Sequence, residues 1–162
     1  MTVRPMVPAD VPLVLGMVRE LAAYEKAEHE AAMTEQELHG ALFGEAPALF
    51  GHVAETDGGT VAGFAVWFLN FSTWRGTHGI YLEDLYVRPE HRGSGFGREL
   101  LRTLAEVCVA RGYSRLEWSV LDWNAPSIEF YRAAGAEPMD EWTVFRLTDD
   151  ALPRFAADRR TG

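Results

Sequence analysis

The segment Arg92-Gly93-Ser94-Gly95-Phe96-Gly97 joins a strand-like run at residues 81–87 to a helix-like run at residues 98–110. A glycine-rich turn at the start of a helix exposes backbone N–H groups, and the helix dipole adds positive potential there. Glycine has no Cβ and therefore lets a bulky anion approach the backbone closely. The segment predicts a phosphate-binding loop between a strand and a helix. The surrounding arginines strengthen this prediction: Arg88, Arg92, Arg98 and Arg102.

Two common phosphate loops do not match this segment. A nucleoside-triphosphatase loop needs Gly-Lys followed by Ser or Thr, whereas Gly97 is followed by Arg98 and Glu99. A dinucleotide fingerprint carries glycine at its first, third and sixth places. Gly93 and Gly95 fit the first two places, but Arg98 occupies the last. The local pattern alone leaves two interpretations open: a phosphate loop of another kind, or an ordinary glycine-rich turn.

Length and composition favour one domain. The chain has 162 residues, of which 48% are hydrophobic, and we expect a domain over residues 1–150 with a short C-terminal tail at 151–162. The net charge of −9 disfavours nucleic acid and anionic membranes as partners. We find no membrane-spanning run, no secretory signal and a single cysteine, Cys108, and therefore expect a cytoplasmic protein. The five histidines lack metal-ligand spacing, so we expect no metal.

Periodicity predicts an α/β fold with a mixed, mostly antiparallel sheet of six to seven strands flanked by helices. The expected order is β-α-α-β-β-β-α-β-α-β. The predicted strands cover residues 2–5, 50–55, 60–70, 79–87, 116–121 and 142–147, and the predicted helices cover residues 11–24, 35–42, 98–110 and 125–134.

Short local signals mark where these elements begin and end. Asp10 is expected to cap the first helix, and Thr34 with Glu37 forms a capping-box pattern at the second. Asp57-Gly58-Gly59 predicts a hairpin turn, and Gly112 is expected to end the helix that follows the phosphate loop. Cys108 lies on the apolar stripe of that helix, where we expect it to pack in the core.

Three separated motifs together resemble the GCN5-related N-acetyltransferase superfamily. They are the strand with Glu83-Asp84, the glycine loop, and Asn124-Ala125-Pro126-Ser127 followed by Phe130-Tyr131. The superfamily's signature, Arg/Gln-x-x-Gly-x-Gly/Ala, is filled by Arg92, Gly95 and Gly97. The chain is most similar to the diamine acetyltransferases that act on spermidine, spermine and thialysine. The resemblance covers nearly the whole chain and implies the fold of that superfamily.

The resemblance also implies acetyl-coenzyme A as the donor. The backbone of the strand would pair with the pantetheine arm as an added strand would, and the loop would hold the pyrophosphate. The implied cofactor-binding residues are Leu85, Tyr86, Val87, Arg92, Gly93, Ser94, Gly95, Phe96, Gly97, Arg98, Asn124 and Ser127.

Acyl transfer from a thioester to an amine requires a base for the amine and an acid for the leaving thiolate. The resemblance places a tyrosine near the thioester sulfur, and Tyr131 matches it as the acid. Glu83 is the favoured carboxylate to bind the cationic amine and accept its proton, directly or through a water. On a regular strand Glu83 and Asp84 face opposite sides, so both reach one site only if the strand is bulged.

Further residues are expected at the amine site. By resemblance, or by position on the strand beside the acceptor groove, they are Tyr24, Glu25, Glu83, Asp84, Glu117, Trp118 and Ser119. For each the alternative is a purely structural role. The segment before the predicted last strand, residues 136–141, is shorter than the acidic stretch expected in relatives. The sequence therefore leaves the identity of the amine open.

The function predicted from these residues is acetyl transfer from acetyl-coenzyme A to a primary amine of a small molecule such as a diamine, a polyamine or a thialysine-like amino acid. Two alternatives stay open: acetylation of a protein lysine or α-amine, and a catalytically silent fold that binds coenzyme A. The resemblance also implies a homodimer, in which the run Trp142-Thr143-Val144-Phe145 could be exchanged between subunits.

Overall fold

The computed structural model describes residues 1–158; residues 159–162, the end of the predicted tail, lie outside that range. The chain divides into two units, Met1–Leu121 and Asp122–Gly162. A single domain over residues 1–150 stays a prediction.

The first unit contains a five-stranded sheet with the strand order β1-β2-β3-β4-β5. All neighbouring strands are antiparallel except β4 and β5, which are parallel. The elements are β1 (Thr2–Pro5), α1 (Val11–Tyr24), α2 (Glu35–Phe43), β2 (Phe50–Glu55), β3 (Val61–Ser72), β4 (Thr77–Val87), α3 (Phe96–Arg111) and β5 (Leu116–Glu117). Short 3₁₀ turns cover Pro8–Asp10, Glu28–Glu30 and Pro89–His91. The predicted α/β class and mostly antiparallel sheet are confirmed.

The strand count was predicted too high. Residues 142–147 form no strand, and β5 ends at Glu117 rather than at residue 121. A strand exists only through its ladder of hydrogen bonds, and among residues 1–158 no strand pairs with the segment at 142–147. For β5, pairing with β4 stops at Tyr81, just before a bulge that bends β4.

The expected capping box is present at the start of α2. Thr34 Oγ1 accepts a hydrogen bond from the Glu37 backbone N–H at 3.3 Å, and Glu37 Oε2 accepts from the Thr34 backbone N–H at 2.8 Å. The hairpin between β2 and β3 is also confirmed, because Gly59 adopts φ +78° and its N–H donates to the Thr56 carbonyl. Gly112, with φ +67°, ends α3 as expected.

The prediction that Asp10 caps α1 was wrong. Its backbone is already helical because it ends a 3₁₀ turn, and its side chain makes no hydrogen bond to the first turn of α1 but accepts one from the Val7 N–H at 2.8 Å. The carboxylate instead accepts two hydrogen bonds from the Arg4 guanidinium, at 2.7 and 2.9 Å, which lower the pKa of Asp10. Arg4 also pairs with Glu55 at 2.6 Å, so this network ties β1 to β2 and to the start of α1.

Helices cover both faces of the sheet. On one face α1 and α2 enclose a core that includes Met17, Leu38, Phe64 and Val66. On the other face α3 packs on β2, β3 and β4 through its buried stripe of Phe96, Leu100, Leu101, Leu104 and Cys108. Cys108 is 6% exposed, which confirms its expected place in the core.

The second unit begins with α4 (Ala125–Ala133), whose first turn is capped by the Asn124 side chain accepting from the Ser127 N–H at 3.4 Å. A further helix, α5 (Ala151–Ala157), lies within the predicted tail. The intervening residues leave large apolar side chains exposed, among them Val144 at 84% and Phe145 at 92%.

Candidate active site

The register between β3 and β4 is irregular at Glu83. Asp84 lies opposite Val66, and Leu82 lies opposite Trp67, so that Glu83 is an extra residue on its strand. This is a β-bulge, which locally increases twist and redirects side chains. The bulge that both carboxylates require to reach one site is therefore present.

The bulge decides which side chains of β4 face α1. Side chains directly opposite on paired strands share a face of the sheet. Asp84 therefore lies on the same face as Val66, and Tyr86 on the same face as Phe64, whose ring centroid is 6.4 Å from that of Tyr86. Without the bulge, Asp84 and Tyr86 would face α3 instead.

Asp84 lies near enough to Glu83 and Glu25 for their negative charges to act on it, and we call Glu25, Glu83 and Asp84 the carboxylate cluster. Burial and then the negative charges of Glu83 and Glu25 raise the pKa of Asp84 to about 6. Burial also raises the pKa of Glu25, which directly follows α1. The cluster thus includes acidic residues from two elements of one unit, the C-cap of α1 and strand β4. A region of such strong negative potential can bind a cation.

The end of α1 and the phosphate loop are joined by Arg92. Its guanidinium carbon lies 5.2 Å from the ring centroid of Tyr24 and 5.6 Å from that of Tyr86. Both distances are within the range of cation–π attraction. Its Nε donates a hydrogen bond to the Val87 carbonyl at 2.9 Å. The sequence motif places Arg92 in the loop but gives no sign of these contacts.

One edge of β4 beyond Leu82 lacks a paired strand in the described part of the chain, because β5 pairs with β4 only at Ile80 and Tyr81. The Arg88 N–H donates to the Ala62 carbonyl of the strand before β4. Since hydrogen-bonded pairs alternate along an antiparallel ladder, the backbone groups of Tyr86 face β3. The backbone groups of its two neighbours, Leu85 and Val87, therefore face the unpaired edge.

The glycine loop is shaped by left-handed backbone at two positions. Gly93 has φ +77°, and Gly95, the N-cap of α3, has φ +88°. No side chain caps the start of α3, so its first N–H groups remain available to an anion. A Cβ on Gly93 would meet no atom within 4 Å, so the loop opens outward there. Phe96 is 7% exposed and anchors the loop in the core.

Two of the four surrounding arginines are engaged elsewhere. Arg88 forms an ion pair with Glu20 at 2.9 Å, and Arg102 pairs with Glu99 along the surface of α3. Glu20 was missed by sequence reasoning, although its position four residues before Tyr24 on α1 places both on one helix face. Of the four arginines predicted to surround the loop, Arg92 and Arg98 are therefore the two that are not paired with a carboxylate in residues 1–158.

The residues expected on the strand beside the acceptor groove have local partners. Glu117 Oε2 accepts from Asn70 Nδ2 at 2.7 Å and from Arg115 Nε at 2.8 Å. The Ser119 hydroxyl bonds the Tyr81 hydroxyl at 2.8 Å, and Trp118 is half-buried. The Glu117 carboxylate is thus held by two donors within its own unit, unlike the carboxylate cluster.

The remaining predicted residues belong to the second unit. Tyr131 lies on α4 and is half-buried, with its ring centroid 5.2 Å from that of Phe130. Asn124 and Ser127 form the cap of that helix. Their roles toward a cofactor stay predictions.

Two kinds of site are absent from residues 1–158. No group of three or more His, Cys, Asp or Glu side chains in this range could hold a metal ion. None of the helices described there is both long enough and apolar enough to cross a membrane.

A glycine loop at a helix start, an open strand edge and an acidic cluster are the features expected of an enzyme that holds a phosphorylated donor beside a cationic acceptor. Residues 16–136 match the Acetyltransferase (GNAT) family, and the chain belongs to this family. It is an N-acetyltransferase, and enzymes of the family use acetyl-coenzyme A as co-substrate. The resemblance stated from the motifs is therefore confirmed.

Curated relatives and a solved structure agree with this assignment. The chain is 38% identical to the thialysine N-epsilon-acetyltransferase of Bos taurus over 153 residues. The aligned region covers 88% of this chain and 89% of that protein. It is 30% identical to an L-ornithine N5-acetyltransferase of Arabidopsis thaliana over 93% of this chain and 85% of that protein. An integron cassette protein from the mobile metagenome of V. cholerae has the same fold, with a TM-score of 0.80, 25% identity and coverage of 96% and 97%.

Proposed function

We propose that this N-acetyltransferase acts on a primary amine of a small cationic molecule, such as a diamine, a polyamine or a thialysine-like amino acid. The observation that carries the proposal is the carboxylate cluster of Glu25, Glu83 and Asp84, where burial and then the repulsion between like charges raise the pKa of Asp84. An alkylammonium ion would relieve that repulsion, which favours cationic acceptors over neutral ones. The thialysine and ornithine relatives act on amines of this kind, as their names state.

On the donor side, the unpaired edge of β4 would receive the pantetheine arm of acetyl-coenzyme A. The backbone groups of Leu85 and Val87 face that edge and would form the hydrogen bonds, while Tyr86 lies between them. The N–H groups from Gly93 to Arg98 would bind the pyrophosphate at the start of α3. Asn124 and Ser127 would contact the cofactor further along its length.

On the acceptor side, Tyr24 and the carboxylate cluster would bind the ammonium group. A free alkylammonium titrates near ~10.4, so transfer needs a group that removes its proton. Glu83 would accept that proton, directly or through a water, and Asp84 and Glu25 would hold the charge of the substrate beside it. Glu117, at the end of β5, and the two residues after it, Trp118 and Ser119, would line the groove further along.

The chemical step forms a C–N bond and breaks a C–S bond. The neutral amine attacks the thioester carbonyl, and the Val87 N–H at the unpaired edge would stabilise the oxyanion that forms. When the C–S bond breaks, the Tyr131 hydroxyl would donate its proton to the departing thiolate. The products are an N-acetylated amine and coenzyme A.

We also propose a homodimer and a cytoplasmic setting. Support for the dimer comes from the exposed apolar run that includes Trp142, Val144 and Phe145, which are 67%, 84% and 92% exposed. Exposed patches of this kind are typical of protein–protein contacts. Support for the cytoplasm comes from Cys108, the only cysteine, which a reducing compartment keeps as a thiol.

The test is a thiol-release assay with acetyl-coenzyme A and a panel of putrescine, spermidine, spermine, thialysine, ornithine, lysine and lysine-containing peptides. Turnover highest with a small diamine, polyamine or thialysine is the expected result. Turnover confined to peptides would favour a protein acceptor. Binding of coenzyme A without turnover of any amine would favour a silent binding fold. Either result would overturn the proposed acceptor.

A further inference from the structure

Arg92 contacts two parts of the first unit, one proposed to bind the donor and the other proposed to bind the acceptor. Its guanidinium lies within cation–π distance of Tyr24, at the end of α1, and of Tyr86, on β4. Its Nε–H holds the Val87 carbonyl at the unpaired strand edge. In the chain it directly precedes Gly93, the first glycine of the phosphate loop. One side chain therefore joins the donor loop to the acceptor helix.

The link from Arg92 to the proposed acceptor site is Glu25, the residue after Tyr24. Glu25 is the C-cap of α1, and its charge raises the pKa of Asp84 within the carboxylate cluster. Tyr24 is the last residue of α1 and Glu25 directly follows it, so a contact that fixes the Tyr24 ring constrains the turn that carries Glu25. The last turn is a defined structure, because the N–H groups of Lys26 and Ala27 donate to the carbonyls of residues 23 and 22.

We propose that Arg92 is a positioning residue that couples the two substrate sites. Pyrophosphate bound in the loop fixes Arg92, and a fixed Arg92 holds Tyr24 and Glu25 in the arrangement that binds the amine. Coupling of this kind is reciprocal, so bound coenzyme A and bound amine tighten each other by the same factor. The inference rests on the proposed donor and acceptor sites and adds the residue that links them.

Arg92→Lys is the informative substitution. Lysine keeps the positive charge that attracts phosphate but lacks the planar face that stacks on the rings and the Nε–H that holds Val87. Loss of one exposed cation–π contact corresponds to about a fivefold change in an equilibrium constant. Arg98→Lys is the matched control, because Arg98 belongs to the same loop and shows no ring contact in the described structure.

The first experiment uses coenzyme A alone and needs no acceptor. Hydrogen exchange at the amides of Glu25, Lys26 and Ala27 is measured with and without saturating coenzyme A. We expect the cofactor to slow exchange there in the wild-type protein and in Arg98→Lys, but not in Arg92→Lys. Unchanged exchange in the wild type, or equal slowing in both variants, would overturn the coupling. Tyr24→Leu tests the same contact from the other side if Arg92→Lys is poorly folded by thermal unfolding.

The second experiment measures steady-state kinetics with both substrates varied, using whichever of spermidine and thialysine turns over faster. Arg92→Lys should raise the KM of the amine about fivefold. Arg98→Lys should raise only the KM of acetyl-coenzyme A. Combining Arg92→Lys with Tyr24→Leu should raise the amine KM no further than Tyr24→Leu does. Independent, multiplying effects would contradict the coupling. Failure of the wild type to use either amine would count against the proposed acceptor, and the exchange experiment would still decide the coupling.

Discussion

Glu83 and Asp84 are neighbours in sequence, and the β-bulge at Glu83 turns Asp84 to the face of the sheet that carries Val66. Burial and the charge of Glu83 keep the pKa of the Asp84 carboxyl near 6. A carboxylate that is partly buried and close to a like charge binds a substrate cation more strongly than a solvated one does. In the proposed acceptor site, this single irregularity of strand pairing would therefore contribute to the choice of substrate.

The pH dependence of kcat/KM should report this relationship. We expect activity to fall as pH decreases through about 6, because protonation of Asp84 removes a negative charge from the amine site. Glu25→Gln removes one of the charges that raise the pKa of Asp84, so the acidic limb should move to lower pH. The measurement is a pH–rate profile of both proteins at low amine concentration. Superimposable acidic limbs would contradict the assignment.

Stability should depend on pH through the same carboxyl. Between pH 3.8 and about 6 the folded chain holds a proton on Asp84 that the unfolded chain has lost, so the free energy of unfolding falls as pH rises. Above about pH 6 Asp84 is ionised in both the folded and the unfolded chain, and the folded chain then bears the full cost of burying that charge. Asp84→Asn should therefore raise the free energy of unfolding at pH 8 by about 1 to 3 kcal/mol, with the gain disappearing below pH 4.

Urea unfolding at several pH values measures this effect. Asp57→Asn is the control, because Asp57 is 95% exposed at a hairpin turn and its pKa is lowered instead of raised. The control should gain no stability at pH 8. A gain for Asp84→Asn that is the same at pH 4 and pH 8 would show that the effect is not electrostatic.

Tyr131→Phe should lower kcat by ~10²-fold with little change in the affinity for coenzyme A, because only the proton donated to the thiolate is lost. Steady-state kinetics and calorimetric titration with coenzyme A measure the two effects. Phe130→Leu, one residue away on α4, keeps the hydroxyl and serves as the control. An unchanged kcat in Tyr131→Phe would remove Tyr131 as the acid.

The turn after α1 contains a strained residue. Lys26 has φ +59°, a left-handed conformation that glycine adopts without cost and other residues rarely adopt. Lys26→Gly should be more stable than Lys26→Ala by about 1 kcal/mol. The alanine variant controls for the loss of the lysine side chain itself. Equal urea midpoints for the two variants would show that the turn relaxes instead of storing strain.

Local signals in the sequence were sufficient for most of the fold. Thr34 and Glu37 marked the start of α2, Gly59 the hairpin and Gly112 the end of α3, since each depends on atoms within a few residues. Three expectations failed. Asp10 accepts hydrogen bonds from Arg4 instead of capping α1, β5 ends at Glu117, and residues 142–147 form no strand. A strand depends on a partner strand distant in the chain, and the Asp10 ion pair depends on how β1 and the turn after it fold together, so neither follows from a local motif.

By itself, the sequence determined the family, the glycine loop between β4 and α3, and the residue types available for acyl transfer, because each motif is a pattern of neighbouring residues. Tertiary structure alone decided that Glu83 is the bulged residue, that Asp84 shares a face with Val66, and that Glu25 lies near enough to raise its pKa. It also decided that Arg92 stacks on Tyr24 and Tyr86. Strand register, burial and the approach of distant charges arise from packing between elements, which no local pattern encodes.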